Sequence, residues 1–431
     1  MYRIYGLRNN NRIIALAALT AVSLVALYSN AARCLAFGGM MLGSSSEYRG
    51  PGSWMALSSL VQRSKPESNT RQQNSAYSRF EAAMQHAHYA ANGESLHSYC
   101  GETNFNDAFI EAAEHRYGNV SQSAGRVFVA VNLFNSERVL PNMATQLLAF
   151  AEMLGRKRVF LSVYENGSTD NTKGILRAFA QTLGEMGIPH KITTDDKRRP
   201  QLYHRIEYMA AIRNRALEPL YSSNTYDRVV FINDVYFCLP DLLELLHQAQ
   251  FHDTHLACAE DFDTRHGALE FYDTWVSRDM LGQAFKNRYQ NIAADGMALV
   301  GQLRNRPFQA QCCWNGMAVL DARVFSGASA LRFRRSSLGE CSASECSLLC
   351  NDLWKSGRRR VVVVPRVKVS YNVETRDRLR QPHSFPRDAP FGDQPLREIT
   401  FRPGPESVYC NPLNRAGSRV PDGAAFMVDL K

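Results

Sequence analysis

From Arg126 onward the apolar positions of the chain fall into two alternating patterns. "RVFVAVNLF" (126–134), "KRVFLSVYENGS" (157–168), "PHKITTDD" (189–196), "DRVVFINDVYF" (227–237) and "THLACAEDFD" (254–263) contain short apolar runs rich in β-branched and aromatic residues, as strands do. Between them, "ERVLPNMATQLLAFAEMLG", "TDNTKGILRAFAQTLGEMG", "RIEYMAAIRNRALEPLYS" and "LPDLLELLHQAQFH" have helical spacing, the second with a Thr/Asp start and a Gly stop. Strand–helix alternation with hydrophobic strands predicts an α/β fold with a mostly parallel sheet covered by helices on both faces. "CCWNGMAVLDARVF" and "RRVVVVPRVKVSY" read as further strands and "SECSLLCNDLWKSG" as a helix, and Pro-rich loops from Gln381 are expected to wrap the domain. No internal repeat is evident.

The first 124 residues have a different texture. "MYRIYGLRNNNR" carries Arg3, Arg8 and Arg12 without an acid, and residues 13–32 then run without a charge. About 20 apolar residues span a bilayer, and flanking cations stay cytosolic. The expectation is a cytosolic tail (1–12), a transmembrane signal anchor (13–32) and a stem (33–124). "NDAFIEAAEHRYG" in the stem reads as a short helix leading into a luminal domain at 125–431. A cleaved signal peptide is the alternative, with "SNAARCLA" as its cleavage region. Both place the domain in the secretory lumen, and the anchor makes the chain a single-pass type II protein of the Golgi or endomembrane. Ten cysteines suit that oxidising compartment and are expected to be paired, since no histidine completes a zinc set beside "CSASECSLLC".

Composition narrows the partners. With 431 residues, 45% of them hydrophobic, the chain can bury a large core, and a net charge of +9 favours anionic ligands. The basic residues are scattered outside any nucleic-acid motif, so no nucleic acid is expected as a partner.

Two polar interruptions fall at expected strand ends, where parallel sheets bind ligands. "VYENGSTDNT" (163–172) leaves a strand for a helix and offers Glu165, Ser168 and Asp170, with an ordinary helix cap as the alternative. In "FINDV", Asn233 and Asp234 interrupt an apolar run, and a carboxylate there suits Mg²⁺ or Mn²⁺ unless it only caps the next helix.

These segments resemble the nucleotide-sugar glycosyltransferases of the GT-A fold. The likeness is closer to the fungal capsule-associated α-1,3-mannosyltransferases, the cryptococcal mannosyltransferase family. It runs through "VAVNLFNSERVLPNM", "SVYENGSTDNTKGIL", "AAIRNRALEPL", "VVFINDVYFC", "FYDTWVSRDM", "CCWNGMAVLDA" and "SECSLLCNDLW", from about Arg126 to Tyr371. The resemblance implies transfer of mannose, α-1,3-linked, from GDP-mannose to a mannan or other glycan acceptor, assisted by Mn²⁺ or Mg²⁺. It implies Glu165, Ser168, Asp170, Arg213 and Asn214 at the nucleotide sugar, and Asn233 and Asp234 at the metal. Asp273, Trp275, Trp314 and Asn315 become acceptor candidates, and Glu345, with Asp352 beyond it, the acid group near the acceptor. Where related enzymes have Asp-x-Asp this chain has Asn-Asp, so Glu260, Asp261 and Asp263 are considered for the remaining metal shell. Arg358–Arg360 are either a solvated turn or a diphosphate contact. The sequon Asn166-Gly-Ser lies in the nucleotide turn and is expected to be bare. A nucleotidyltransferase, or a degenerate sugar-binding or scaffold protein, are the competing readings.

Overall fold

A computed structural model describes residues 69–100, 113, 115–117, 125–223, 225–379, 398–413 and 426–430. The expected anchor at 13–32, the helix at 106–118 apart from four residues, and most of the Pro-rich loops lie outside the described residues. Among the described residues no helix is long and apolar enough to cross a membrane.

The strands are β1 (Val127–Leu133), β2 (Val159–Asn166), β3 (His190–Asp195), β4 (Arg228–Ile232), β5 (Leu256–Arg265), β6 (Ala268–Phe271), β7 (Phe308–Gln309), β8 (Met317–Asp321) and β9 (Val361–Ser370). They form one sheet ordered β3-β2-β1-β4-β8-β5-β9-β7, with β6 attached to β5. The first four strands are parallel, as are β5 and β9, whereas β8 and β7 run against their neighbours. The sheet is therefore mixed. "CCWNGMAVLDARVF" enters as a short antiparallel strand between β4 and β5, which periodicity could not distinguish from another parallel strand.

The helices used below are α1 (Asn69–Asn92), α2 (Leu140–Leu154), α3 (Thr172–Glu185), α4 (Arg205–Ala216), α5 (Leu239–Phe251), α6 (Gly296–Leu303), α7 (Glu345–Lys355) and α8 (Val373–Leu379). The strands are apolar at consecutive positions because both faces are covered. Val127, Val129 and Val131 of β1, with Val230 and Ile232 of β4, join one core with α1, α2, α3 and α5. Phe128, Ala130, Val229 and Phe231 join the other with α4 and α7.

The expected stem at 33–124 is not a spacer throughout. In α1, Ala76, Phe80 and Met84, spaced four apart, enter the core. Phe80 meets Phe179 at 5.7 Å between ring centroids, and Arg79 pairs with Glu185 at 2.9 Å. Cys100 is disulfide-bonded to Cys238 at the start of α5. The Asn/Gln-rich composition concealed this because only one residue in four of α1 needs to be apolar to reach the core. Covered by α1 on its outer side, α2 is buried along nearly its whole length, including Asn142, Thr145 and Gln146.

The expectation of paired cysteines holds. Further bridges join Cys258 to Cys313, Cys312 to Cys350 and Cys341 to Cys410, while Cys346 is buried and unbridged. The Cys341–Cys410 bridge ties the loop before α7 to a two-stranded antiparallel sheet of β10 (Ser407–Cys410) and β11 (Phe426–Asp429).

Candidate active site

From β1 the chain moves outward through β2 to β3, then returns to lay β4 against the other side of β1. The connections reverse direction between β1 and β4, and parallel sheets open a ligand crevice at such a point, outside the strand ends. Segments 133–137 and 165–172 form one lip of this crevice. Segment 233–235 forms the other, where Asn233 N–H donates to the Gly316 carbonyl at 2.8 Å.

The first lip is an interlocked pair of loops. Ser168 Oγ accepts from Asn135 N–H at 2.9 Å, and Asp170 accepts from Glu137 N–H at 3.1 Å and Thr172 N–H at 3.0 Å. Thr172 Oγ1 and Asn135 Oδ1 return the contact to Ser136 and Thr169. Ser168 and Asp170 thus shape the turn, so both open readings describe one arrangement: a helix entry that is also a crevice wall. Glu165 is buried beneath it, accepting from Ser168 N–H and lying 3.8 Å from Lys173 Nζ, with Oε2 unpartnered by hydrogen bonds. Asn166 is buried and its amide donates to Tyr208 at 3.3 Å, which leaves it inaccessible to glycosylation in the folded state.

The second lip rests on a buried cation. Arg213, on α4, donates to Glu345 at 2.8 Å and to Asn233 Oδ1 at 3.2 Å. Phe231, Trp314 and Phe333 surround its guanidinium, with ring centroids at 5.1, 5.0 and 5.6 Å. Neither the surface salt bridge nor the direct nucleotide contact considered from sequence describes this residue: it fixes the segment carrying Asp234 from below. Glu345 is 3% exposed and occupied by Arg213, which reassigns it from acceptor chemistry to holding that arginine. Asp352 is bound by Arg334 at 2.8 Å. Asn214 spends its amide on Phe333 N–H and carbonyl and on Tyr221, joining α4 to the loop before α7, so it is not positioned for the nucleotide.

Asp234 is exposed to solvent yet ringed by protein, which places it on the floor of a depression. Desolvation by that surrounding mass pushes its carboxyl up to about 6, against the opposing pull of its own backbone N–H and Arg213. Asp261 and Asp273 share the same electrostatic neighbourhood. Burial raises both, and each carboxylate adds to the pressure on the buried Tyr371 hydroxyl, which donates to Asp261 at 2.9 Å. Of the other shell candidates, Glu260 pairs with Lys368 at 3.4 Å, and Asp263 is taken by Asn372 and Arg265.

The acceptor candidates divide in the same way. Asn315 is wholly buried, accepting from Ser277 at 2.6 Å and donating to the Ala259 carbonyl at 2.7 Å. Asn315 and Gly316 adopt positive φ of 52° and 74°, and a Cβ on Gly316 would come within 2.9 Å of Val235, so "CWNGMA" is a tight turn clasping the Asp234 loop. Trp314 is a core ring whose indole N–H has no partner among the described residues. Trp275 is tied to the Asn411 carbonyl at 2.9 Å, and Asp273 caps Val276 and Asn315. In "FYDTW" the outward residue is Tyr272, 40% exposed, lying 4.5 Å from the Tyr371 ring under the Arg265 guanidinium at 5.1 Å. Sequence reasoning chose the right segment and missed Tyr272, because which side chain faces out depends on the β5–β6 pairing. Arg358–Arg360 adjoin the start of β9, away from the strand-ending rim, with Arg360 bound to Asp253.

A divalent cation fits this chemistry in one particular mode. Three carboxyl groups, Asp234, Asp261 and Asp273, are raised together, and the nearest arginine is already committed to Glu345. Among the described residues no three acidic, thiol or imidazole groups converge as a ready cage. A cation would therefore take one carboxylate, with Asp234 the open one, and complete its shell from water and substrate phosphate, as Mg²⁺ and Mn²⁺ commonly do.

A reversing α/β sheet with an acidic, arginine-braced edge at its crevice defines a ligand-binding α/β protein with the layout of a nucleotide site. Residues 126–352, 227 of the 431, match the family model described as Cryptococcal mannosyltransferase 1, and the chain belongs to this family. It is 31% identical over 285 residues to an α-1,3-mannosyltransferase of Cryptococcus neoformans, covering 61% of this chain and 61% of that protein's length. Among solved structures, a Pyrobaculum calidifontis mannosyltransferase in complex with GDP-Man and Mn²⁺ aligns at 14% identity over 68% of each chain, with a TM-score of 0.36. TarS of S. aureus aligns at 14% identity over 57% of this chain and 60% of its own, with a TM-score of 0.33. Superpositions this loose bear no functional argument.

Proposed function

We propose that the chain is a glycosyltransferase that moves mannose from GDP-mannose to a mannose-containing glycan and forms an α-1,3 linkage. One observation carries the reading: in a chain of this family, the β1–β4 crevice has Asp234 open on its floor and a buried arginine bracing the segment beneath it. The looped lip at 165–172 lines the nucleotide side. Tyr272 offers the acceptor sugar an exposed ring beside the acidic cluster. When bound at Asp234, Mn²⁺ or Mg²⁺ supplies Lewis-acid stabilisation of the charge that develops on the leaving diphosphate. Arg213 keeps Asn233 and hence the Asp234 loop in register, and the Asn315–Gly316 turn closes the crevice from below.

A site in the secretory lumen, tethered by residues 13–32, accompanies this reading. Four disulfides among the described residues support an oxidising compartment. The test is to incubate the purified full-length protein with a panel of sugar nucleotides, Mn²⁺ and α-mannobiose, and to weigh the products. A product one hexose heavier, formed from GDP-mannose and abolished by excess EDTA, is expected. Absence of product from every donor would favour a degenerate sugar-binding protein, and release of pyrophosphate from a nucleoside triphosphate would favour a nucleotidyltransferase.

A further inference from the structure

A cavity of about 490 Å³ opens at the far edge of the sheet, lined by residues of α5, α6, β7 and segment 398–402. It lies far from the crevice. Helix α5 leaves the strand-ending rim after β4 and reaches the start of β5, so Gln248 and His252 mark the opposite rim. Phe308 and Gln309 pair with Val363 and Val362 at the beginning of β9, which places β7 there too. None of its lining residues belongs to the candidate active site.

Its chemistry is two-sided. Arg116, Arg304, Arg306, Arg366 and Arg402 line it together with Glu398. Arg116 is held by Glu244 at 2.9 Å and Arg402 by Asp295 at 2.6 Å. Counting these carboxylates, the lining and its ion-pair partners keep an excess of two positive charges. His252 adds none near neutral pH, since burial and the field of His247 push its imidazole down to about 4. Gln248 Oε1, His252 Nδ1 and Asn305 Oδ1, all on lining residues, are buried without a hydrogen-bond partner among the described residues. The remaining wall is apolar: Met297, Val300, Pro307, Phe308 and Ile399. Met297 is 64% and Val300 44% exposed, with Leu303 further along the same helix at 58%. Such a run of exposed apolar side chains marks a contact surface.

We propose that this cavity binds an amphiphilic anion: an alkyl or prenyl chain against the α6 wall with its phosphate among the arginines. An inorganic anion would leave the apolar wall wet. A neutral glycan would leave the excess charge unmatched, and no lining residue offers it an exposed aromatic ring. Planar guanidinium groups favour phosphate and carboxylate heads. Size agrees, since pockets of a few hundred Å³ hold small organic ligands.

The test uses the full chain in a neutral steroid-based detergent, titrated with hexyl phosphate, hexanoate, inorganic phosphate or hexanol while the melting temperature is followed. Hexyl phosphate at saturation should raise Tm by about 2 °C or more, whereas phosphate and hexanol at the same concentration should not. A shift with hexanoate as well would assign the head group broadly to anions and sustain the site. The exposed substitutions Met297→Ser and Arg304→Gln should each weaken the apparent affinity several-fold while the unliganded Tm stays near that of the native protein. Arg366→Gln should do the same from inside the cavity. Equal shifts with phosphate and hexyl phosphate would reduce the cavity to an adventitious anion site. Absence of any shift, or a shift unchanged in all three variants, would overturn the proposal.

Discussion

The ion pair beneath the crevice separates fold from function in a measurable way. Arg213 and Glu345 lie 2.8 Å apart with side chains only 7% and 4% exposed. Arg213→Met removes the cation and leaves Glu345 enclosed without its partner. Breaking a buried pair from one side typically costs about 3–5 kcal/mol. At about 2 °C per kcal/mol for a domain of this size, Tm should fall by about 6–10 °C. Removing the second charge as well, in Arg213→Met/Glu345→Leu, abolishes the uncompensated carboxylate and should recover at least half of that loss. Recovery stays partial, because the guanidinium also faces three aromatic rings, a desolvated contact of up to about 2 kcal/mol. Activity should not recover, since both variants lose the hydrogen bond to Asn233 at 3.2 Å that sets the Asp234 loop. Thermal unfolding and sugar transfer measured on the three proteins give the two readouts. Equal Tm for the single variant and the native protein, or a double variant no more stable than the single, would refute the buried-charge reasoning. Full transfer activity in the double variant would refute the positioning role.

Asp234→Asn should keep the fold and reduce transfer by about 100-fold or more, measured as product mass per time; normal transfer would leave Asp234 as no more than a helix cap. Tyr272→Ala should raise the acceptor KM several-fold and leave donor hydrolysis without acceptor unchanged, while Tyr272→Phe, which keeps the ring, should behave as the native protein. Stability should also depend on pH through His252, whose pKa lies near 4 when folded against an ordinary 6.5. Between those values the unfolded chain binds the proton more tightly, so stability present above pH 6.5 is lost as pH falls toward 4, by up to about 1.4 kcal/mol per unit. In His252→Phe the drop in Tm between pH 6.5 and 4.5 should shrink; an unchanged slope would move the effect to other groups.

Strand–helix alternation, both polar strand ends and the family likeness were readable along the chain. Each depends on neighbours in sequence: period, caps and the interruption of apolar runs at 165–170 and 233–234. The α1 helix was not readable, because its sparse apolar positions gain meaning only from the surface that α2 and α3 present to them. The antiparallel insertion of β8 likewise followed from pairing partners far away in sequence. At the site, residue types pointed to the correct segments but not to the roles of their members. Glu345 and Asn214 carry the groups that bind ligands elsewhere, yet tertiary contacts consume them on Arg213 and on Phe333 and Tyr221. Tyr272 drew no attention beside Asp273 and Trp275, yet the β5–β6 turn leaves it outward. Local sequence determines which groups are available and where the chain bends. Which polar groups remain unspent is decided only when distant segments meet, because burial removes water and each buried donor or acceptor must then find a partner.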